Sequence, residues 1–289
     1  MKPLILCAML ALAGCSTVGS DFVDPAGTSD AAWRHAAGPS DSARLPATWW
    51  TVFGDATLNA LEERAVRDNA GVKASAQRLL QAQAQLSNLK SAQGPTVTAG
   101  VSAANSRTSA ETAQALALGG RSIKGDNYTA GLSLSYELDL WGRVKRVVEA
   151  ADAQALATQN DRDGVILLLS AQVAQTYWQL RGLDVEMNIL QQALKARAEA
   201  QDVVEARLNG GLTNELDVAR ARIERSNAEA DLHEVQRQRN LLEHGLAVLT
   251  GLSPTSALIA KQDNAVLPEP PAIPVGLPAS LLAQRPDLA

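Results

Sequence analysis

The chain has 289 residues, a net charge of −5 and only 3% aromatic residues. It is too long for one small core and too poor in aromatics for an ordinary large globular enzyme, and its composition suits long helices packed through small side chains. The mild acidity, without a basic stripe, excludes a general nucleic-acid binder.

Residues 1–14 read as an export signal. Lys2 supplies the positive start, and Leu4 to Leu12 form an apolar core too short to span a membrane in the mature protein. The core ends in Leu12-Ala13-Gly14-Cys15, which resembles a bacterial lipobox; an ordinary signal peptide with an incidental Cys is the alternative. The resemblance implies lipidation of Cys15, and Ser16 after it implies sorting to the outer membrane. The sequence holds two cysteines. Cys7 leaves with the signal and Cys15 is acylated, so no disulfide framework is expected.

Residues 15–56 predict a lipid-anchored tether, rich in Ala, Gly, Ser, Asp and Pro up to residue 48. Order opens at Trp49-Trp50-x-x-Phe53-x-Asp55, where Asp55 can cap a helix presenting Leu58, Leu61 and Ala65. Residues 57–93 predict one long helix of about 55 Å, stopped by Gly94-Pro95.

Residues 94–140 predict a β-hairpin with a long polar loop over 105–127. Thr96 to Ala103 alternate weakly. The stronger signal is 128–140. Tyr128, Ala130, Leu132, Leu134, Tyr136, Leu138 and Leu140 face one way; Thr129, Gly131, Ser133, Ser135, Glu137 and Asp139 face the other. The length is near the roughly 9–11 residues of a tilted membrane strand, and Tyr136 and Trp141 sit where an aromatic girdle would be. A half-buried strand of a soluble sheet alternates in the same way, and on pattern alone both readings stay open.

Residues 141–250 predict a long helical hairpin. Its first helix covers 143–209, about 100 Å if straight. Ile166, Leu169, Val173, Tyr177, Leu180, Leu183, Met187, Leu190, Leu194 and Ala198 step by threes and fours, a coiled-coil seam. Gly210-Gly211 stops it, and Thr213 or Asn214 caps the second helix, with Asp217 in its first turn. Residues 251–289 open as a Pro-rich linker.

Catalytic patterns are missing. His35, His233 and His244 are scattered, with no metal-ligand spacing. Glu243-His244 lacks the HExxH frame, and no glycine pair carries the Lys-Ser/Thr of a phosphate loop. Glu137 and Asp139 share a strand face, but no base or nucleophile accompanies them.

Ser135-Tyr136-Glu137-Leu138-Asp139-Leu140-Trp141-Gly142-Arg143 resembles the S-Y-E-(L/I/V)-D-L-(W/F)-G-(R/K) signature of the outer-membrane efflux proteins, the TolC-like channels, and in particular the lipoprotein branch that serves RND-type pumps. The W-W-x-x-F-x-D opening resembles the same family. So does Arg207-Leu208-x-Gly210-x-x-Thr213-Asn214-x-Leu216-Asp217, where Leu208 replaces the usual aromatic. Leu277-Pro278-x-x-Leu281-Leu282-x-Gln284-Arg285-Pro286-Asp287-Leu288 resembles the opening of the family's second repeat. The chain stops one residue past that motif, and the expectation is a fragment with a truncated second repeat.

The resemblance implies a mostly α fold with a β-hairpin. Long coiled-coil helices would form a periplasmic tunnel, and the strands would join a trimeric 12-stranded outer-membrane barrel. It implies a passive exit duct for drugs, metals or other small molecules, with no enzyme activity, cofactor or metal. The implied partners are two more copies, a periplasmic membrane-fusion adaptor, an inner-membrane RND-type transporter and outer-membrane lipid. Thr129, Ser133, Ser135, Glu137 and Asp139 would face the lumen; Leu132, Leu134 and Leu138 would face lipid. Arg207, Gly210, Gly211, Thr213, Asn214, Leu216 and Asp217 would form the periplasmic tip where the adaptor docks. An exit duct for type I protein secretion would share this fold, and a structural coiled-coil periplasmic lipoprotein would share the anchor and the helices.

Overall fold

The computed structural model describes residues 17–23, 46–117, 119–256, 258–262, 266–271 and 285–288. Cys15 and most of the segment resembling a second-repeat opening lie outside them. The chain divides into two units, one of Met1–Asp24 with Leu80–Leu156 and one of Pro25–Leu79 with Ala157–Ala289.

The second of these is helical. A 3-10 turn at Trp49–Phe53 leads to α1, Ala56–Asp68. Asp55 caps α1 by accepting from the backbone N–H of Thr57 at 2.8 Å and of Leu58 at 2.9 Å, which satisfies two donors that helix geometry leaves free. The next helix, α2, covers Ala70–Ser91. The single helix expected over 57–93 is therefore two, broken at Asn69. That residue is extended, with φ −61° and ψ 131°. Its Oδ1 accepts from Gly71 N–H at 2.7 Å and starts the new helix, while its Nδ2 donates to the Leu249 carbonyl at 3.0 Å. A side chain that caps one helix and closes the end of another outweighs the continuous helix pattern around it.

α4, Arg143–Asn209, whose residues up to Leu156 belong to the other unit, and α5, Glu215–Leu249, complete the helices; α3 also belongs to the other unit. Leu58, Leu61 and Ala65 of α1 pack with Leu169, Val173, Tyr177 and Leu180 of α4 and Leu246 of α5. The four α4 residues are part of the expected seam, spaced so that one stripe reaches the core. Trp49 donates its indole N–H to Ser170 Oγ at 3.0 Å. The aromatic opening is thus a packing anchor.

Glu62 is fully buried on α1, and neither carboxylate oxygen makes a well-formed hydrogen bond, the Ala174 backbone giving only a weak one. Burial pushes its carboxyl up to about 8 from an ordinary 4.5. The folded chain keeps this proton between about pH 4.5 and 8, where the unfolded chain releases it, so stability falls as pH rises through that window. Glu62→Gln removes the titration. Relative to it, the parent protein is expected to lose about 2–4 kcal/mol between pH 5 and pH 8. Denaturation midpoints at the two pH values check this; a constant difference would contradict the assignment.

The other unit holds β1, Thr96–Arg107, and β2, Lys124–Ser135, joined through the short α3, Ala113–Ala117. The strands pair antiparallel from Thr96↔Ser135 to Arg107↔Lys124. Both run further into the expected loop than alternation indicated. The Asn105 amide donates to the Asp126 carboxylate across the ladder, so polar residues that are poor strand formers still pair.

β2 also ends earlier than expected. Residues 136–140 keep the alternating pattern but lie outside the strand. Asp139 Oδ2 accepts from Lys145 N–H at 2.8 Å in the first turn of α4. Arg143 grips both oxygens of Glu137, at 2.8 and 2.6 Å. The free N–H groups and positive end of α4 attract these carboxylates, and the chain turns at Gly142, whose φ is 78°.

Candidate channel wall and helical tip

The hairpin sorts its side chains cleanly by face. Val97↔Leu134, Ala99↔Leu132, Val101↔Ala130 and Ala103↔Tyr128 are opposed pairs on one side. Thr96↔Ser135, Thr98↔Ser133 and Ser102↔Thr129 are opposed pairs on the other. Both sides of both strands are exposed, although Val101 and Leu132 are large and apolar. Thr129, Ser133 and Ser135 therefore share one polar face. Glu137 and Asp139 do not lie on it, because the elbow before α4 takes them; Leu138 likewise lies past the strand.

The turn after α4 brings Arg207, Gly210, Gly211, Thr213, Asn214, Leu216 and Asp217 into one short stretch. Leu212 N–H donates to the Arg207 carbonyl and Gly211 N–H to the Leu208 carbonyl, both at 2.9 Å. These two bonds make a Schellman motif, which places one residue in the left-handed region. That residue is Gly211, with φ 69°. Asn214 Oδ1 accepts from Asp217 N–H at 3.1 Å, and Thr213 donates its hydroxyl to Asp217 Oδ2 at 2.5 Å. Thr213, Asn214 and Asp217 thus bond within the turn, while Leu212 and Leu216 project into solvent, 80% and 57% exposed. An apolar tip on a rigid turn can be gripped by another helix pair.

A third constellation escaped the sequence reading. Asp184 of α4 is wholly buried between two arginines. Arg181 Nη1 lies 3.1 Å from its Oδ2, and Arg239 Nε of α5 lies 2.7 Å from its Oδ1. Arg239 also binds Glu243 at 2.8 Å. The cluster then seizes the backbone that follows α5. Glu243 Oε1 accepts from Leu258 and Ile259 N–H at 3.2 and 3.3 Å, and Arg239 Nη2 donates to the Ile259 carbonyl at 3.0 Å. At its other side Arg181 donates to the Tyr177 hydroxyl at 3.2 Å, and Tyr177 donates to Asp55 at 2.6 Å. Burial, and then Asp55, push the Tyr177 phenol above its ordinary range. The signal was present, since charges at i,i+3 and i,i+4 interrupt the apolar stripes of both helices, but the same spacing usually marks a solvated face.

Among the described residues no cluster of three or more His, Cys, Asp or Glu side chains could hold a metal ion. No described helix is long and apolar enough to cross a membrane.

The sequence profile of the family described as outer membrane efflux protein matches residues 61–252. The pyoverdine export outer membrane protein OpmQ of Pseudomonas putida is 30% identical over 99% of this chain and 61% of its own length. The outer-membrane channel OprN is 30% identical, with a TM-score of 0.78 over 93% of this chain and 60% of that structure. The CmeC outer membrane channel of Campylobacter jejuni shares the fold, with a TM-score of 0.80 at 22% identity over 94% of this chain and 58% of that structure. The chain thus spans about three-fifths of the length of these relatives. Its profile match covers most of the chain, and the helices and hairpin follow the fold of solved efflux channels: the chain belongs to the outer membrane efflux protein family.

Proposed function

We propose that this chain forms part of a subunit of an outer-membrane channel, a passive exit duct in a tripartite efflux pump. The hairpin carries the reading. It is a two-stranded ribbon with both faces exposed and, among the described residues, no further strand at either edge. An open ribbon in lipid would leave backbone groups unsatisfied, and only closure into a barrel with other strands removes that cost. Each strand is 12 residues long, enough to cross a bilayer at a tilt. In the trimer implied by the family resemblance, each complete subunit would give four strands to a shared 12-stranded barrel. The apolar face would meet lipid, and Thr129, Ser133 and Ser135 would meet water.

The helices would continue the barrel as a periplasmic tunnel. The turn from Arg207 to Asp217 would be its tip, where a membrane-fusion adaptor joins it to an inner-membrane RND-type transporter that supplies the energy. Lipidation at Cys15 would add an anchor. Such a duct makes and breaks no bonds. A purely structural coiled-coil lipoprotein would not need a strand with a continuous exposed apolar face.

Two substitutions one residue apart test the faces. Because β2 ends at Ser135, Leu132 lies nearer the middle of the strand than Leu134. Leu132→Arg is expected to cost about 2–4 kcal/mol and to deplete assembled trimer in outer membranes, whereas Ser133→Arg is expected to assemble normally. Equal assembly of both, read from detergent-resistant trimers on gels, would remove the face assignment.

A further inference from the structure

The segment just after the export signal is docked. Within the strand-bearing unit, Val18 N–H donates to the Trp141 carbonyl at 3.0 Å. Arg146, in the first turn of α4, reaches back to the same segment. Its Nε donates to the Val18 carbonyl at 3.3 Å, and its Nη2 to the Gly19 carbonyl at 3.0 Å and to Asp21 Oδ1 at 2.9 Å. Its Nη1 binds Glu149 at 2.7 Å, which aims the guanidinium. Thr17 occupies the space in front of Gly142, where an added Cβ would stand 2.9 Å from Thr17 Cγ2. A flexible linker between lipid and protein needs none of these contacts. The planar fork of one arginine suits two carbonyls and a carboxylate together.

Docking assembles an apolar face. Val18, Phe22 and Val23 of the segment remain exposed, as do Leu138, Leu140 and Trp141 of the elbow that receives it. The elbow follows β2 directly, so these exposed apolar residues stand next to the end of the strand. Trp141 is the residue type that settles at the headgroup level of a bilayer.

We infer that Arg146 is a positioning residue that docks residues 17–23 onto the β2–α4 elbow, and that the face so formed rests in the inner-leaflet interface of the outer membrane. This rests on the channel reading above. Cys15 stands two residues before Thr17, so it is tethered within about 7 Å of it. An acyl chain there would enter the leaflet that the docked face already touches.

Thiol pairing in native membranes tests the docking. Thr17→Cys with Gly142→Cys would bring the two Cβ positions to 3.0 Å, slightly inside the usual range of about 3.5–4.5 Å for a disulfide. A small shift lets the bond close. Thiols are counted by maleimide mass tags with and without reduction, against the unsubstituted protein. The pair is expected to be mostly oxidised, and Arg146→Ala is expected to lower that fraction about threefold or more. Equal pairing in the two backgrounds would overturn the role of Arg146.

A cysteine at Gly142 is strained by its positive φ, so Phe22→Cys, carrying an environment-sensitive fluorophore, supplies an independent reading. Quenching by spin-labelled phospholipid rather than by iodide is expected, and Arg146→Ala should reverse the order. Iodide quenching in the Arg146-containing protein would overturn the lipid assignment. Alkaline extraction of the same membranes separates the two levels of argument. Inserted protein with an undocked label contradicts only this inference, whereas extracted protein contradicts the channel reading itself.

Discussion

Arg239→Met is expected to destabilise the protein by about 3–5 kcal/mol, the usual cost of removing one partner from a buried charge pair. Arg239 is 7% exposed at its side chain and Asp184 is 0% exposed. Without the α5 guanidinium, Asp184 keeps one partner, Arg181, at 3.1 Å. Glu243 loses its cation, and the Ile259 carbonyl loses its donor. The cluster joins α4, α5 and the chain after α5, so one truncation loosens three segments. Arg239→Lys is expected to recover only part of the loss, because an ammonium cannot serve Asp184, Glu243 and Ile259 in a fixed fork. Denaturation midpoints read the stability, and limited proteolysis near residues 258–260 reads the release of the segment that follows α5. A loss below about 1 kcal/mol would mean that the cluster behaves like a surface ion pair.

Gly251→Ala is the second large effect. α5 ends in the same motif as α4, with Leu252 N–H bound to the Ala247 carbonyl at 2.8 Å and Gly251 N–H to the Val248 carbonyl at 3.1 Å. Gly251 has φ 73°, and an added Cβ would stand 2.7 Å from the Asp68 carbonyl oxygen and 2.9 Å from its carbon. Backbone atoms at the end of α1 cannot step aside cheaply. The left-handed conformation costs an alanine about 1–2 kcal/mol, and the overlap adds about 1–3 kcal/mol. Gly211→Ala is the internal comparison. Its φ of 69° is nearly the same, but nothing lies within 4 Å of an added Cβ, so only the conformational part is expected. If Gly211→Ala costs as much as Gly251→Ala, the close approach to Asp68 has no energetic weight.

These sites show which parts of the structure were legible in the sequence. The bounds of α4 were, because no proline interrupts residues 143–209 and the stop at Gly210-Gly211 is local chemistry. So were the two faces of the hairpin, because period two survives whatever surrounds the strand. Three features were settled by contacts across the chain instead. The break at Asn69 depends on the Leu249 carbonyl, 180 residues away. The end of β2 at Ser135 depends on α4 drawing Asp139 and Glu137 to its N-terminus, although alternation continues to Leu140. The buried cluster depends on Arg181 and Arg239 meeting over Asp184, and nothing local separates those arginines from the solvated ones around them. Within the candidate site, the tip residues fall in one turn, whereas the proposed lumen set divides between strand and elbow.

Single-channel recording tests the account most directly. Protein purified from outer membranes of cells carrying its gene is reconstituted in a planar bilayer. Discrete ion-conducting steps are expected, and Ser133→Arg is expected to lower the conductance and shift selectivity away from cations, since lumen positions tune selectivity while lipid-facing positions govern assembly. A bilayer that stays silent with correctly inserted protein, or a Ser133→Arg conductance identical to that of the parent, would contradict the channel reading.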